Sequence, residues 1–150
     1  MRTRSCGKAA GLEDQAASRE NVEIVRRWFE RLAAGDPAPE FCDPEVEIRN
    51  WPGSPQPGPY HGHKGLQRWW AVVNDADVMA GFRLFDVIDT LVVDEDRVVT
   101  IQRAIGKAPH SEIDVDFDWA SVVRVHEGKV ASSFGYPTPA EAKAAVGLSE

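Results

Sequence analysis

From Phe82 to Pro137 the chain is written in a two-residue period, and this long stretch limits what the whole can become. "FRLFDVIDTLVVD" and "VVTIQRAIG" are split by the acidic turn "EDR"; "SEIDVDFDWASVVRV" and "KVASSFGYP" are split by "HEG". Strands joined by such short turns pair antiparallel, because a parallel return needs a crossover of about a dozen residues or more. The stretch therefore reads as four antiparallel strands in a meander. What precedes it is mostly helical. Val22, Val25, Trp28, Phe29 and Leu32 fall on one face of a helix expected over 19–34. Leu66, Trp69, Trp70 and Val73 repeat that spacing in a second helix. Between them, "EVEIRNW" alternates Val46 and Ile48 with Glu45, Glu47 and Arg49, as a half-buried strand does. Thr138 and Pro139 supply a cap and a first helical residue for a closing helix. There is no βαβ alternation, no repeat and no glycine-rich phosphate loop. The class is α+β, with helices packed on a curved antiparallel sheet.

The 150 residues fit one domain. Residues 1–18 show no period and read as a disordered N-terminal arm, leaving 19–150 as the domain. A net charge of −7 with no basic tract argues against nucleic acid as a partner. No apolar run reaches the ~20 residues that span a bilayer, so no membrane partner is expected. Cys6 and Cys42 do not make a disulfide framework and no secretory h-region is evident, so a cytoplasmic location is expected.

Two stretches invite chemistry. "YHGHKGLQRWW" sets His61 and His63 one residue apart, but no third ligand has a matching spacing, so no metal is expected. Gly62 and Gly65 read better as a bend into the second helix. "EIDVDFDW" alternates strictly, and Asp116 and Asp118 share a face that continues as Ala120 and Val122. That pattern carries the strand from solvent into a covered interior, with Asp118 at the crossing. Desolvation raises a carboxyl pKa, so such a group can act as a general acid or donate to an oxyanion. A solvated sheet face is the plainer reading of the acidic side. Five tryptophans is a high count; core filling is the plainer reading of each, and flat apolar walls would suit a ring-containing ligand.

Taken in order, "RRWFERLAAGD", "DPEVEIRNWPG", "YHGHKGLQRWW" and "VVRVHEGKV" resemble the nuclear transport factor 2-like superfamily, and within it the SnoaL-like branch that includes polyketide cyclases. The resemblance covers about residues 20–148 and implies a cone-shaped barrel around an apolar pocket, with pairing through the outer sheet face into a homodimer. By the same resemblance Asp118 matches the oxyanion aspartate of ketosteroid isomerases, a carboxylic acid held neutral. The isomerase tyrosine corresponds to Trp28, and its general base falls at Arg49 or Asn50, neither of which takes a proton from carbon. Steroid isomerisation is thus disfavoured. Arg103 stands near Asp118 on a neighbouring strand, but no third member completes an epoxide-hydrolase set. Two expectations follow. One is a cofactor-free acid–base enzyme (cyclase, isomerase or hydrolase) on a small apolar cyclic molecule, with Asp118 as acid. The pocket would be formed by Trp28, Arg49, Asn50, Tyr60, His61, Trp69, Arg103, Asp116, Ala120 and Val122. The other is a non-catalytic dimeric ligand-binding module.

Overall fold

A computed structural model of the protein describes residues 4–54, 57–73, 82–107 and 112–148, with side chains described for 17 onward apart from 82–85. Among these residues run α1 (Arg4–Ala33), β1 (Cys42–Arg49), β2 (Tyr60–His61), α2 (Gly62–Val73), β3 (Phe82–Val92), β4 (Arg97–Lys107), β5 (Asp114–His126), β6 (Lys129–Tyr136) and α3 (Pro139–Ala145). The strands form one sheet in the order β2-β1-β6-β5-β4-β3. The meander is as the turns demanded. The parallel pairing of β1 with β6 is an addition that no short-range signal announces, since the whole chain between them separates the two strands.

α1 begins at Arg4, so the backbone is helical where the sequence pattern suggested a loose arm up to residue 18; residues 1–3 of that arm lie outside the described residues. The stretch holds four alanines (Ala9, Ala10, Ala16 and Ala17), whose propensity favours a helix without an apolar stripe. Asn21 lies inside the helix, and its Nδ2 donates to the Glu95 carbonyl at 2.7 Å, tying α1 to the β3–β4 turn. The helix ends at a left-handed Gly35 (φ 95°).

The helices divide between the two sheet faces. Val25, Trp28, Phe29 and Leu32 of α1 and Leu66, Trp69, Trp70 and Val73 of α2 are buried in one core with Val98, Ala104, Trp119, Val123 and Val125. Trp28 is fully buried, its ring 5.2 Å from Phe29 and 6.5 Å from Trp69, and its Nε1 donates to the Pro37 carbonyl at 3.0 Å. α3 covers the opposite face over Val99, Ile101 and Ala120, with Ala142 buried among them. Thr138 caps α3 as expected, its Oγ1 accepting from Glu141 N at 3.1 Å. No helix among the described residues is long and apolar enough to cross a membrane.

Two outcomes test this account. Trp28→Ala should lower unfolding stability by about 3–5 kcal/mol, read from urea midpoints, because it removes a large ring and a buried hydrogen bond; a loss well under that would show that the ring is not a keystone of the core. In the β3–β4 turn, the hydrogen bond from Arg97 holds Asp94 down at about 2, against 3.8 for the free carboxyl. The unfolded chain then takes up the proton first, so this contribution is present above about pH 4 and is lost as pH falls toward 2. Asp94→Asn should be less stable than the parent at pH 6, with the gap closing by pH 2.

Candidate functional site

The site is built on the sheet face that looks toward α1 and α2. On β4 this face carries Val98, Thr100, Gln102 and Ala104, and on β5 Phe117, Trp119, Ser121 and Val123, paired across the ladder as Ala104↔Phe117, Gln102↔Trp119 and Thr100↔Ser121. Gly135 of β6 lies opposite Ser121. Thr100 and Gln102 are fully buried and Ser121 is 2 % exposed. Buried polar groups need partners. With its oxygen turned toward the hydroxyls, the Gln102 carboxamide is satisfied at both ends: Oε1 accepts from Ser121 Oγ at 3.1 Å and Thr100 Oγ1 at 3.2 Å, while Nε2 donates to the carbonyls of Thr100 at 2.9 Å and Trp119 at 3.3 Å and also lies 3.3 Å from Thr100 Oγ1. Turned the other way, Nε2 keeps Ser121 Oγ at 3.1 Å, but the oxygen faces only acceptors. The first orientation wins.

Toward the β4–β5 hairpin this face becomes open and aromatic. Trp119 packs edge-on against Trp51, ring centroids 6.0 Å apart, and beyond it Phe117 is 41 % exposed. Asn50 joins them: a Cβ on Gly135 would collide with its Oδ1 and lie 3.3 Å from the Trp119 ring, so the glycine makes room for the amide. Of the two candidates for the interior, Asn50 is therefore the one on this face. Arg49 is exposed on the other, its guanidinium 5.5 Å over the Phe134 ring.

The remaining candidates fall apart into separate places. Trp28 and Trp69 are in the core, and the Trp28 N–H is already spent on Pro37. Tyr60 packs on that core beside α2, where Gly65 permits the approach: a Cβ there would lie 2.7 Å from the Tyr60 carbonyl carbon. His61 is exposed and pairs with Glu45 at 3.0 Å, whereas His63 Nε2 donates to the Cys42 carbonyl at 3.0 Å. The two histidines thus serve different partners, and no group of three His, Cys, Asp or Glu side chains that could hold a metal ion occurs among the described residues.

Asp118 stands on the outer face, exposed, opposite Arg103 in the ladder. Arg103 reaches past it to Asp116, with bonds of 2.8 and 2.6 Å, and its guanidinium holds the Asp116 carboxyl below the usual range. The strand does run from solvent to a covered interior at Ala120 and Val122, but the cover is α3 and not the helices over the main core. Two open grooves of about 550 Å³ also lie off the inner face. One is between α1 and β3, at Arg26, Glu30, Asp86, Ile88 and Asp89. The other crosses the outer face between Glu45, Glu47, Arg97, Arg124 and Phe134. Sequence reading missed Gln102 and Ser121 as interior residues. The available signal was their phase with Trp119 and Val123.

A family model for the SnoaL-like domain matches residues 25–133. A search of curated proteins gave no match. Among solved structures, an NTF2-like protein of unknown function from Mesorhizobium loti is 25 % identical, with a TM-score of 0.59, over 79 % of this chain and 91 % of that one. A protein assigned as a SnoaL-like polyketide cyclase, from Jannaschia sp. CCS1, is 19 % identical, with a TM-score of 0.62, over 78 % and 84 %. TerC, co-crystallised with polyporic acid, is 18 % identical, with a TM-score of 0.68, over 85 % and 98 %. The fold is that of the nuclear transport factor 2-like proteins.

Gly135→Ala tests the inner corner. The added methyl must push out the Asn50 amide, the movable end of a side chain, so stability should fall by about 1–3 kcal/mol. The Asn50 side-chain amide resonances should shift strongly. Unmoved Asn50 resonances would place its amide elsewhere.

Proposed function

The chain belongs to the SnoaL-like domain family, and on that premise we propose that it binds a small, uncharged, ring-containing molecule against the inner face of the sheet. The observation that carries this reading is the aromatic shelf. Phe117 is 41 % exposed in line with the Trp119–Trp51 pair, on the same face as a buried polar strip. Apolar walls with a few fixed polar groups are the usual make-up of a small-molecule site. The polar groups described on this face, Asn50, Thr100, Gln102, Ser121 and Ser133 among them, are amides and hydroxyls, so a neutral ligand is not asked to leave a charge unpaired. The ionised groups of β4 and β5 (Arg103, Asp116, Asp118, Arg124) stand on the opposite face. None of the neutral groups gives or takes a proton near pH 7, which favours binding over acid–base turnover. Asp118 is left out of the proposal. We place the protein in the cytoplasm, where a free thiol such as Cys42 persists.

We propose further that two copies pair through the outer-face groove. Its acidic edge, with Glu45 and Glu47 on β1, and its Arg97 and Arg124 side are complementary when two such faces meet head to tail.

Ligand binding is read by thermal shift, since a ligand that binds only the folded state raises Tm. 2-Naphthol should raise the Tm of the wild type and 2-naphthoate should not, and Trp119→Leu should remove the response. A shift from the carboxylate alone would sink the reading. For the pairing, wild-type protein should sediment as a dimer and Phe134→Glu as a monomer. A monomeric wild type at every concentration would reject the interface.

A further inference from the structure

The sheet has two edges, and they are unlike. β2, at one end of the order, is two residues long and leaves almost nothing to pair with. β3, at the other end, is eleven residues long and among the described strands pairs only with β4. The outward side of such a strand carries unpaired N–H and C=O groups, a template for another chain. Edges that must stay single commonly carry lysine or proline. Residues 86–92 have neither, and Ile88 and Val92 are 52 % and 47 % exposed.

Beside this edge lies the groove of about 550 Å³ between β3 and α1. Five consecutive β3 residues, 86–90, line it, so it follows the strand. Its other wall is Arg26, Glu30 and Ala33 of α1. Their i, i+4, i+7 spacing puts them on one side of the helix, which runs beside the strand. An extended peptide adds to a sheet at such an edge, where main-chain hydrogen bonds supply affinity and alternate side chains set the choice of partner. Five strand residues span about 16 Å, room for a peptide of similar length.

The register against β4 slips between Val87 and Asp89, which makes Ile88 an extra residue of the edge. From Asp89 to Val92 the pairing follows without a further slip. Thr90 N donates to Asp89 Oδ1 at 2.8 Å, so the partner of that amide is a movable side chain that a peptide carbonyl can replace. The charges select the peptide. Glu30, Asp86 and Asp89 outnumber Arg26, which Glu23 already holds at 3.1 Å.

We propose that the β3 edge docks an extended basic segment of a partner protein. The segment adds a strand beside residues 86–90, sets apolar side chains against Ile88 and directs lysine or arginine at Glu30 and Asp89. This site is separate from the ring-binding face and from the outer-face groove, and stands or falls without them.

The test uses the full chain and three labelled peptides. One alternates lysine and valine over five residues, one replaces its lysines by glutamate, and one is the lysine peptide with every main-chain nitrogen methylated. Methylation keeps the charge and removes strand pairing. In fluorescence polarisation the lysine peptide should bind, and the other two should bind about tenfold more weakly or not at all. Amide resonances of residues 86–90 should shift as the lysine peptide is added. Glu30→Lys should weaken it about threefold, the scale of an exposed ion pair. Ile88→Ser should weaken it as well. Both residues are exposed, so neither change threatens the fold. Equal binding of the methylated peptide would reduce the site to a charge contact and overturn strand addition. No binding of the lysine peptide overturns the proposal outright. If either variant instead changes how the free protein sediments, the occupant is a second copy of this chain and the proposal of a basic partner falls.

Discussion

The register of the β4–β5 ladder governs the rest of the molecule. From Arg97↔Arg124 to Lys107↔Asp114 it runs without a shift, whereas the pairings on either side, β3 with β4 and β5 with β6, each slip. Side chains alternate with period two, so one residue of slip would exchange the faces completely. A slip of β5 would put Trp119 and Ser121 outside and bring Asp118 in beside Gln102. The unbroken ladder thus separates neutral from charged chemistry. The irregular pairings beside it take up the curvature, as bulges do.

That separation matters because the two kinds of polar group tolerate burial differently. An ionised carboxylate loses far more on leaving water than an amide does. On the outer side Lys107–Asp114 and Arg103–Asp116 can therefore sit side by side in solvent. On the inner side Thr100, Gln102 and Ser121 tolerate enclosure because they satisfy one another. Such exposed ion pairs add little to stability. Their effect is to keep this phase of the strands on the wet side.

Much of this architecture was legible in the sequence. The helical faces of Val25, Trp28, Leu66 and Trp69, the meander and the Thr138 cap all follow from periodicity and turn chemistry. The orientation of β5 was not. Asp118 shares its phase with Ala120 and Val122, and on β4 the same phase holds Val99 and Ile101, so the pattern could carry Asp118 toward a covered interior without saying what covers it. The inner phase buries the polar Thr100, Gln102 and Ser121. Local pattern could not reveal that α3 would dock on the first face, or that the polar trio would close on itself. Both depend on contacts between residues distant in the chain. The parallel β1–β6 pair was hidden for the same reason, while the choice of Asn50 over Arg49 needed the strand's final phase.

The position of α3 also sets an order of assembly. Residues 138–148 come after all six strands in the chain, and Ala142, Val146 and Leu148 among them pack over Val99, Ile101 and Ala120. During synthesis the sheet can form against α1 and α2 while an apolar strip on its back stays bare. Such surface is what makes partly made chains adhere to one another. α3 thus works as a closure for the back of the sheet, and until it emerges that apolar strip is open to other chains.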